Sequence, residues 1–151
     1  MPSPTCYDKA VQLLAARPHF RAELAGKLAR RGFPPQEIEA ALDRLAGEKY
    51  LDDARTARDF VAHRLERGAE GRLRLKAELE RRGAPEEAAE AALGELAPDD
   101  DLPVAREAAR RWAAQKRKED PAALARHLAR KGFSQRAIFA VLKERHDLDP
   151  E

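Results

Sequence analysis

This 151-residue chain predicts an all-α fold: three tandem three-helix repeats forming an elongated, curved body. Three observations carry that expectation. The first is composition, with 37% charged residues, 43% hydrophobic residues drawn largely from Ala and Leu, and only 5% aromatics. Small apolar residues with dense charge belong to exposed helices laced by i,i+4 pairs rather than to one thick core. The second is a phrase met three times, LARRGF at 28–33, LERRGA at 79–84 and LARKGF at 128–133. The third is the lack of any sustained period-two alternation that would mark a strand.

The repeat frame is gapless around its glycines. Gly32, Gly83 and Gly132 lie 51 and 49 residues apart (83 − 32 and 132 − 83). The first copy carries Leu24, Leu28, Phe33, Ile38 and Leu42, the second Leu75, Leu79, Ala84, Ala89 and Leu93, the third Leu124, Leu128, Phe133, Ile138 and Leu142. Self-similarity at such a period marks a repeat architecture. Each unit has about 45–50 residues, too few for a generous core of its own, so neighbours are expected to stack.

Each element has its own justification. The opening helix of unit one spans about 5–16, with Val11, Leu14 and Ala15 on one face. Its counterpart at 53–67 follows Asp52, a ready N-cap, and shows Ala57, Phe60, Val61 and Leu65. The third counterpart, at 103–117, follows Asp101 and carries Val104, Ala108 and Trp112 at four-residue spacing. The middle helix of each unit ends in two basic residues and Gly. Those cations complement the helix dipole, and the Gly fits the left-handed position past a helix end. The last helices start at Pro35, Pro85 and Ser134, while Asp120–Pro121 starts the middle helix of unit three. The units divide as 1–48, 49–98 and 99–151, with breaks near 47–52 and 96–102.

Several function classes find no footing. Cys6 is the single cysteine, so the chain makes neither an internal disulfide nor a cysteine-based zinc cluster. His19, His63, His127 and His146 form no ligand pair and read as surface or boundary residues. No phosphate-cradling glycine loop is present, and the acidic run Asp99–Asp101 reads as a solvated linker. With no catalytic constellation, cofactor or metal site, the expectation is a non-enzymatic chain. No stretch approaches the ~20 apolar residues of a membrane span. A cytoplasmic monomer without membrane contact is expected.

Charge placement says more than the net charge of +2. Residues 104–145 hold twelve Lys/Arg against four Asp/Glu, and 54–76 hold seven against three, whereas 83–101 hold seven acids and no base. Such runs occur on solvated helix faces, and they also suit a nucleic-acid backbone or an acidic protein surface. The contact candidates in unit two are Arg64, Arg67, Arg72, Arg74 and Lys76. In unit three they are Arg110, Arg111, Lys116, Arg117, Lys118, Arg126, Arg130 and Lys131. The last helices, such as QEIEAALDRLA, are acidic or apolar where a base-reading helix would be basic and polar. Phe60, Phe139 and Trp112 sit among apolar helical residues and are expected in the core. Gly32, Gly83, Gly132, Phe33, Phe133, Tyr50 and Asp52 are expected to be structural.

The stretch KYLDDARTARDFVAHRLERGAEGRLRLKAELERRG at 49–83 resembles the RecX family of recombination regulators. Tyr50, Leu51, Asp52, Asp53, Ala57, Phe60, Val61, Arg64, Gly71, Arg74, Glu78, Leu79 and Gly83 carry the likeness. Residues 10–33 and 124–142 resemble the family too. Three positions depart from it. Lys49 stands where the family prefers Gly, which predicts a less strained turn. Phe20 replaces a Ser, which removes the obvious N-cap of the second helix, and Arg72 follows Gly71 where Pro is common.

The resemblance implies a protein that binds the RecA recombinase, chiefly as its filament on DNA, and lies in the filament groove. It would block strand exchange, ATP hydrolysis and co-protease activity, promote filament disassembly, and bind single- or double-stranded DNA. A nonspecific DNA-binding architectural protein and a helical-repeat adaptor for another partner are the alternatives.

Overall fold

The computed structural model describes residues 3–94, 101–115 and 120–148. Nine α-helices and no strand occur among them. Unit one holds α1 (Cys6–Ala16), α2 (Arg21–Arg30) and α3 (Pro35–Gly47). Unit two holds α4 (Asp53–Arg67), α5 (Arg72–Arg81) and α6 (Glu86–Gly94), and unit three α7 (Leu102–Gln115), α8 (Pro121–Arg130) and α9 (Gln135–Leu148). The fold is an all-α helical repeat.

Each unit encloses its own core. Leu24, Leu28, Leu42 and Leu45 centre the first, Leu75, Leu79 and Leu93 the second, Leu124, Leu128 and Val141 the third. The helix pairs that pack extensively, such as α1 on α3, α4 on α6 and α7 on α9, all lie inside one unit. Four helix starts carry side-chain caps. Thr5 and Asp8 form a reciprocal box at α1, Asp52 accepts the Arg55 N–H at α4, Asp120 caps α8, and Ser134 accepts the Ala137 N–H at 3.2 Å.

The three glycine phrases fold as the same corner. Gly32, Gly83 and Gly132 have φ of 93°, 92° and 89°. The N–H one residue later donates back to Leu28, Leu79 or Leu128 O at 3.3, 2.9 or 3.2 Å, closing a Schellman motif each time. Behind the corner, Phe133 is buried in its core and Phe33 packs at the edge of its own.

The junctions between units also follow one plan, in which the start of a unit's second helix meets the glycine corner of the next unit. At the first junction Ala22 and the Glu23 nitrogen lie beside Gly83, and the Arg21 N–H donates to Asp53 Oδ1 at 2.8 Å. At the second, the Gly71 N–H donates to Lys131 O at 2.8 Å and the Leu73 N–H to Gly132 O at 3.1 Å. The α5 terminus has no side-chain cap, so the neighbouring corner supplies the carbonyls that its orphan N–H groups require.

Phe20 leaves α2 without a side-chain cap, as expected, and its ring is 0% exposed in the core of unit two, across the junction. Two expectations are corrected. Lys49 does not relax its turn: it sits at φ 65°, the one non-glycine with positive φ among the described residues. His19, read as a surface or boundary residue, is 2% exposed, with Nδ1 2.9 Å from Arg17 O and Nε2 2.8 Å from Lys27 Nζ. An ammonium has protons and no lone pair, so Lys27 donates to Nε2 and the imidazole is neutral with its proton on Nδ1.

Candidate functional site

The basic candidates of unit two separate into engaged and open side chains. Arg64, in the last turn of α4, forks Glu70 through Nε at 2.8 Å and a terminal nitrogen at 2.6 Å. Glu70 is only 8% exposed, and Arg74 approaches the same carboxylate at 3.2 Å. The fork holds the loop after α4, which carries Gly71 into the second junction. Arg64 therefore acts on architecture. The Arg72 N–H points at Asp101, while Arg67 is exposed and Lys76 half-buried.

In unit three, Arg110 and Arg111 both pair with Glu107, and Arg106 forks Glu144 at 2.7 and 2.9 Å. These pairs are exposed and screened by solvent, so they yield readily to a stronger anion. Arg126 and Arg130 stand exposed on α8, and Lys131 is half-buried where its carbonyl receives Gly71. Lys116, Arg117 and Lys118 lie outside the described residues.

A further charge cluster, not singled out in the sequence, surrounds the first junction. Glu23 accepts from Arg17 at 2.8 Å, from Arg82 at 3.4 Å and from the Phe20 N–H at 3.2 Å. Burial pushes its carboxyl up, but the Arg17 and Phe20 hydrogen bonds and the Arg82 and Arg17 charges outweigh it and hold the group at about 2. Arg82 also lies over the Phe20 and Phe60 rings, at 5.6 and 5.3 Å, so one guanidinium seals the junction electrostatically and by packing. Arg17, 65 positions from Arg82 in sequence, gave no local signal of this meeting.

Two aromatic expectations change. Phe139, expected in the core, is 68% exposed on α9. Tyr50, expected to be structural, contributes through its backbone, whose N–H bonds Leu45 O at 2.9 Å, while the side chain is 63% exposed. Tyr50 borders a groove of about 910 Å³ between α1 and α4, with Tyr7, Val11, Leu14 and Asp59 among its walls. Trp112 and Phe60 do pack against their cores.

Among the described residues no group of three or more His, Cys, Asp or Glu could hold a metal ion, and no helix is long and apolar enough to cross a membrane. The surface features that stand out are exposed Arg67 on α4, exposed Arg126 and Arg130 on α8, exposed Phe139 on α9, and a groove of mixed polarity beside α1.

Comparison with known proteins gives one family. Residues 6–45 match a family model described as the first three-helix domain of RecX, and residues 52–93 one described as its second three-helix domain. A regulatory protein RecX from Pseudomonas entomophila is 39% identical over 139 residues, covering 90% of this chain and 88% of the relative. The RecX of Chromohalobacter salexigens is 47% identical over 92 residues, or 61% of this chain. That of Geobacillus kaustophilus is 34% identical over 142 residues. The chain spans 60% and 53% of the length of those last two relatives. The crystal structure of RecX from Lactobacillus salivarius superposes with a TM-score of 0.78 over 92% of this chain and 93% of that one, at 20% identity, a likeness of fold.

Proposed function

The chain belongs to the RecX family of regulatory proteins, and we propose on that footing that it binds the RecA recombinase assembled on DNA and inhibits its recombinase, ATPase and co-protease activities. The observation that carries this reading is the 39% identity to a regulatory protein RecX along 90% of the chain. In this reading the protein is a non-enzymatic cytoplasmic monomer that modulates DNA repair and recombination. Its three repeats, 1–48, 49–98 and 99–151, form an elongated, curved body that follows the filament groove.

Physical chemistry supports the mode of action. Repeated units can each touch a successive protomer of a helical filament, so weak contacts add through effective concentration. Exposed Arg67, Arg126 and Arg130, with the sequence-assigned Lys116, Arg117 and Lys118, supply the long-range attraction to phosphates or acidic protein surface.

The test is DNA-dependent ATP hydrolysis by the RecA of the same organism on preformed filaments. Inhibition is expected at or below one chain per protomer. Unchanged hydrolysis, with binding to bare DNA that collapses as salt rises, would leave the architectural DNA-binding alternative instead.

A further inference from the structure

The last helix of each unit keeps the same register from its corner glycine. Four, seven and eleven residues past that glycine, unit one carries Gln36, Glu39 and Asp43, and unit two Glu87, Glu90 and Gly94. Unit three carries Arg136, Phe139 and Lys143 at the same three positions. Offsets of three and four residues place such a trio on one helix face. In unit one the two acids of this face are held by Arg21, at 2.9 and 2.7 Å. In unit three the face is inverted in charge and has an aromatic at its centre.

That face is open. Phe139 is 68% exposed, and Arg136 and Lys143 are both exposed and join no ion pair among the described residues. His146 and Asp147 follow one turn beyond Lys143. At about 1.5 Å rise per residue, the cations stand about 4.5 and 6 Å along the axis on either side of the ring. The exposed ring stands outside the unit-three core, which uses Ile138 and Val141 of the same helix.

We propose that the Arg136–Phe139–Lys143 face of α9 binds single-stranded nucleic acid, with Phe139 stacked on one base and the two cations on neighbouring phosphates. An aromatic face needs a free base face, which a single strand presents and a paired duplex does not. Cations on both sides, with Arg126 and Arg130 exposed on α8, are complementary to a phosphodiester chain rather than to an apolar protein pocket. The inference rests on the RecX reading and gives its nucleic-acid contact a position.

The experiment measures binding of a fluorescent oligodeoxythymidylate to the full chain by anisotropy across a salt series. Inhibition of RecA ATP hydrolysis is followed in parallel. Phe139→Ala should weaken binding about tenfold or more without altering the salt slope, because the ring carries no charge. Phe139→Trp should retain affinity and show quenched indole emission on binding. Arg136→Gln with Lys143→Gln should flatten the slope by about 1.4, two phosphate contacts at the single-strand value. The exposed site predicts unchanged melting for every variant. No binding of the oligomer by the parent chain, or Phe139→Ala within twofold of it, overturns the inference whether or not the ATPase is inhibited. A Phe139→Ala chain that binds the oligomer normally but no longer inhibits RecA overturns it as well and makes the face a protein contact. ATPase inhibition that fails while the oligomer results hold removes the RecA reading alone.

Discussion

Gly71 and Gly132 meet backbone to backbone across the second junction. A Cβ on Gly71 would lie 2.3 Å from the Gly132 carbonyl oxygen, and one on Gly132 would lie 2.3 Å from the Arg74 Cβ. No rotamer relieves either clash, because the opposing atoms are main chain or its first side-chain carbon. Gly32, the same position in unit one, has nothing within 4 Å of such a Cβ. Both Gly32 and Gly132 have positive φ, so Ala costs about 1–2 kcal/mol at each for the left-handed backbone alone. The clash adds about 1–3 kcal/mol at Gly132 and at Gly71. Thermal melts followed by circular dichroism should therefore order the variants with Gly32→Ala mildest and Gly132→Ala most severe. Equal losses at Gly32 and Gly132 would contradict the close junction.

Acid should loosen the first junction. Glu23 ionises at about 2 in the fold against an ordinary 4.5, so between those values the unfolded chain holds more protons. Its contribution, about 3 kcal/mol as an upper bound that solvent screening reduces, is complete above 4.5 and is lost as pH falls toward 2. His19 acts in the same direction at higher pH. Burial, joined by the Arg17 and Lys27 charges, lowers it below 6.5 against its bond to Arg17 O, so protonation there also favours unfolding. Urea titrations from pH 7 to 3 should show stability falling in both windows. Glu23→Gln should lower stability at pH 7 and flatten the change below 4.5, and an unaltered acid limb would refute the assignment.

Lys49→Gly should stabilise the protein. The Lys49 side chain is exposed and its φ of 65° costs a non-glycine residue about 1–2 kcal/mol. Glycine's greater freedom in the unfolded chain returns about 0.4–1 kcal/mol of that. The net gain is about 0–1.6 kcal/mol, which for a chain of this size raises the melting temperature by about 6 °C at most. A lower melting temperature would mean that the Lys side chain does more than its exposure implies.

The sequence carried the helices and corners because their causes are local. Asp52, Asp120 and Ser134 cap the helices they precede, and each corner is set by one glycine and the leucine four residues before it. The junctions were not legible, because Phe20 finds its partners in Val61, Leu75 and Leu79, and Arg82 finds Glu23, at separations no periodicity reports. Phe139 differs: its place was readable. The repeat register aligns it with Glu39 and Glu90, two outward acids, yet its neighbours Ile138 and Val141 drew it into the apolar reading. At Tyr50 the backbone N–H closes the turn on Leu45 O while the ring is exposed, a division that a family phrase does not report.

Phe20→Ser sets two effects of known size against each other. Serine would give α2 the side-chain cap it lacks, a gain of about 1 kcal/mol. It would also remove a fully buried ring from the second core, a loss of about 3–5 kcal/mol as judged from large-to-small substitutions. The Arg82 guanidinium would lose one of the two rings it covers, leaving Phe60. The loss exceeds the gain, so the variant should be destabilised by about 2 kcal/mol or more despite its better helix start. The site of damage distinguishes this from a simple capping defect. Hydrogen exchange should accelerate at amides of α4 and α5 in unit two, more than at α2 itself. If exchange instead slows throughout α2 and is unchanged in α4 and α5, capping dominates and Phe20 does not join the two units.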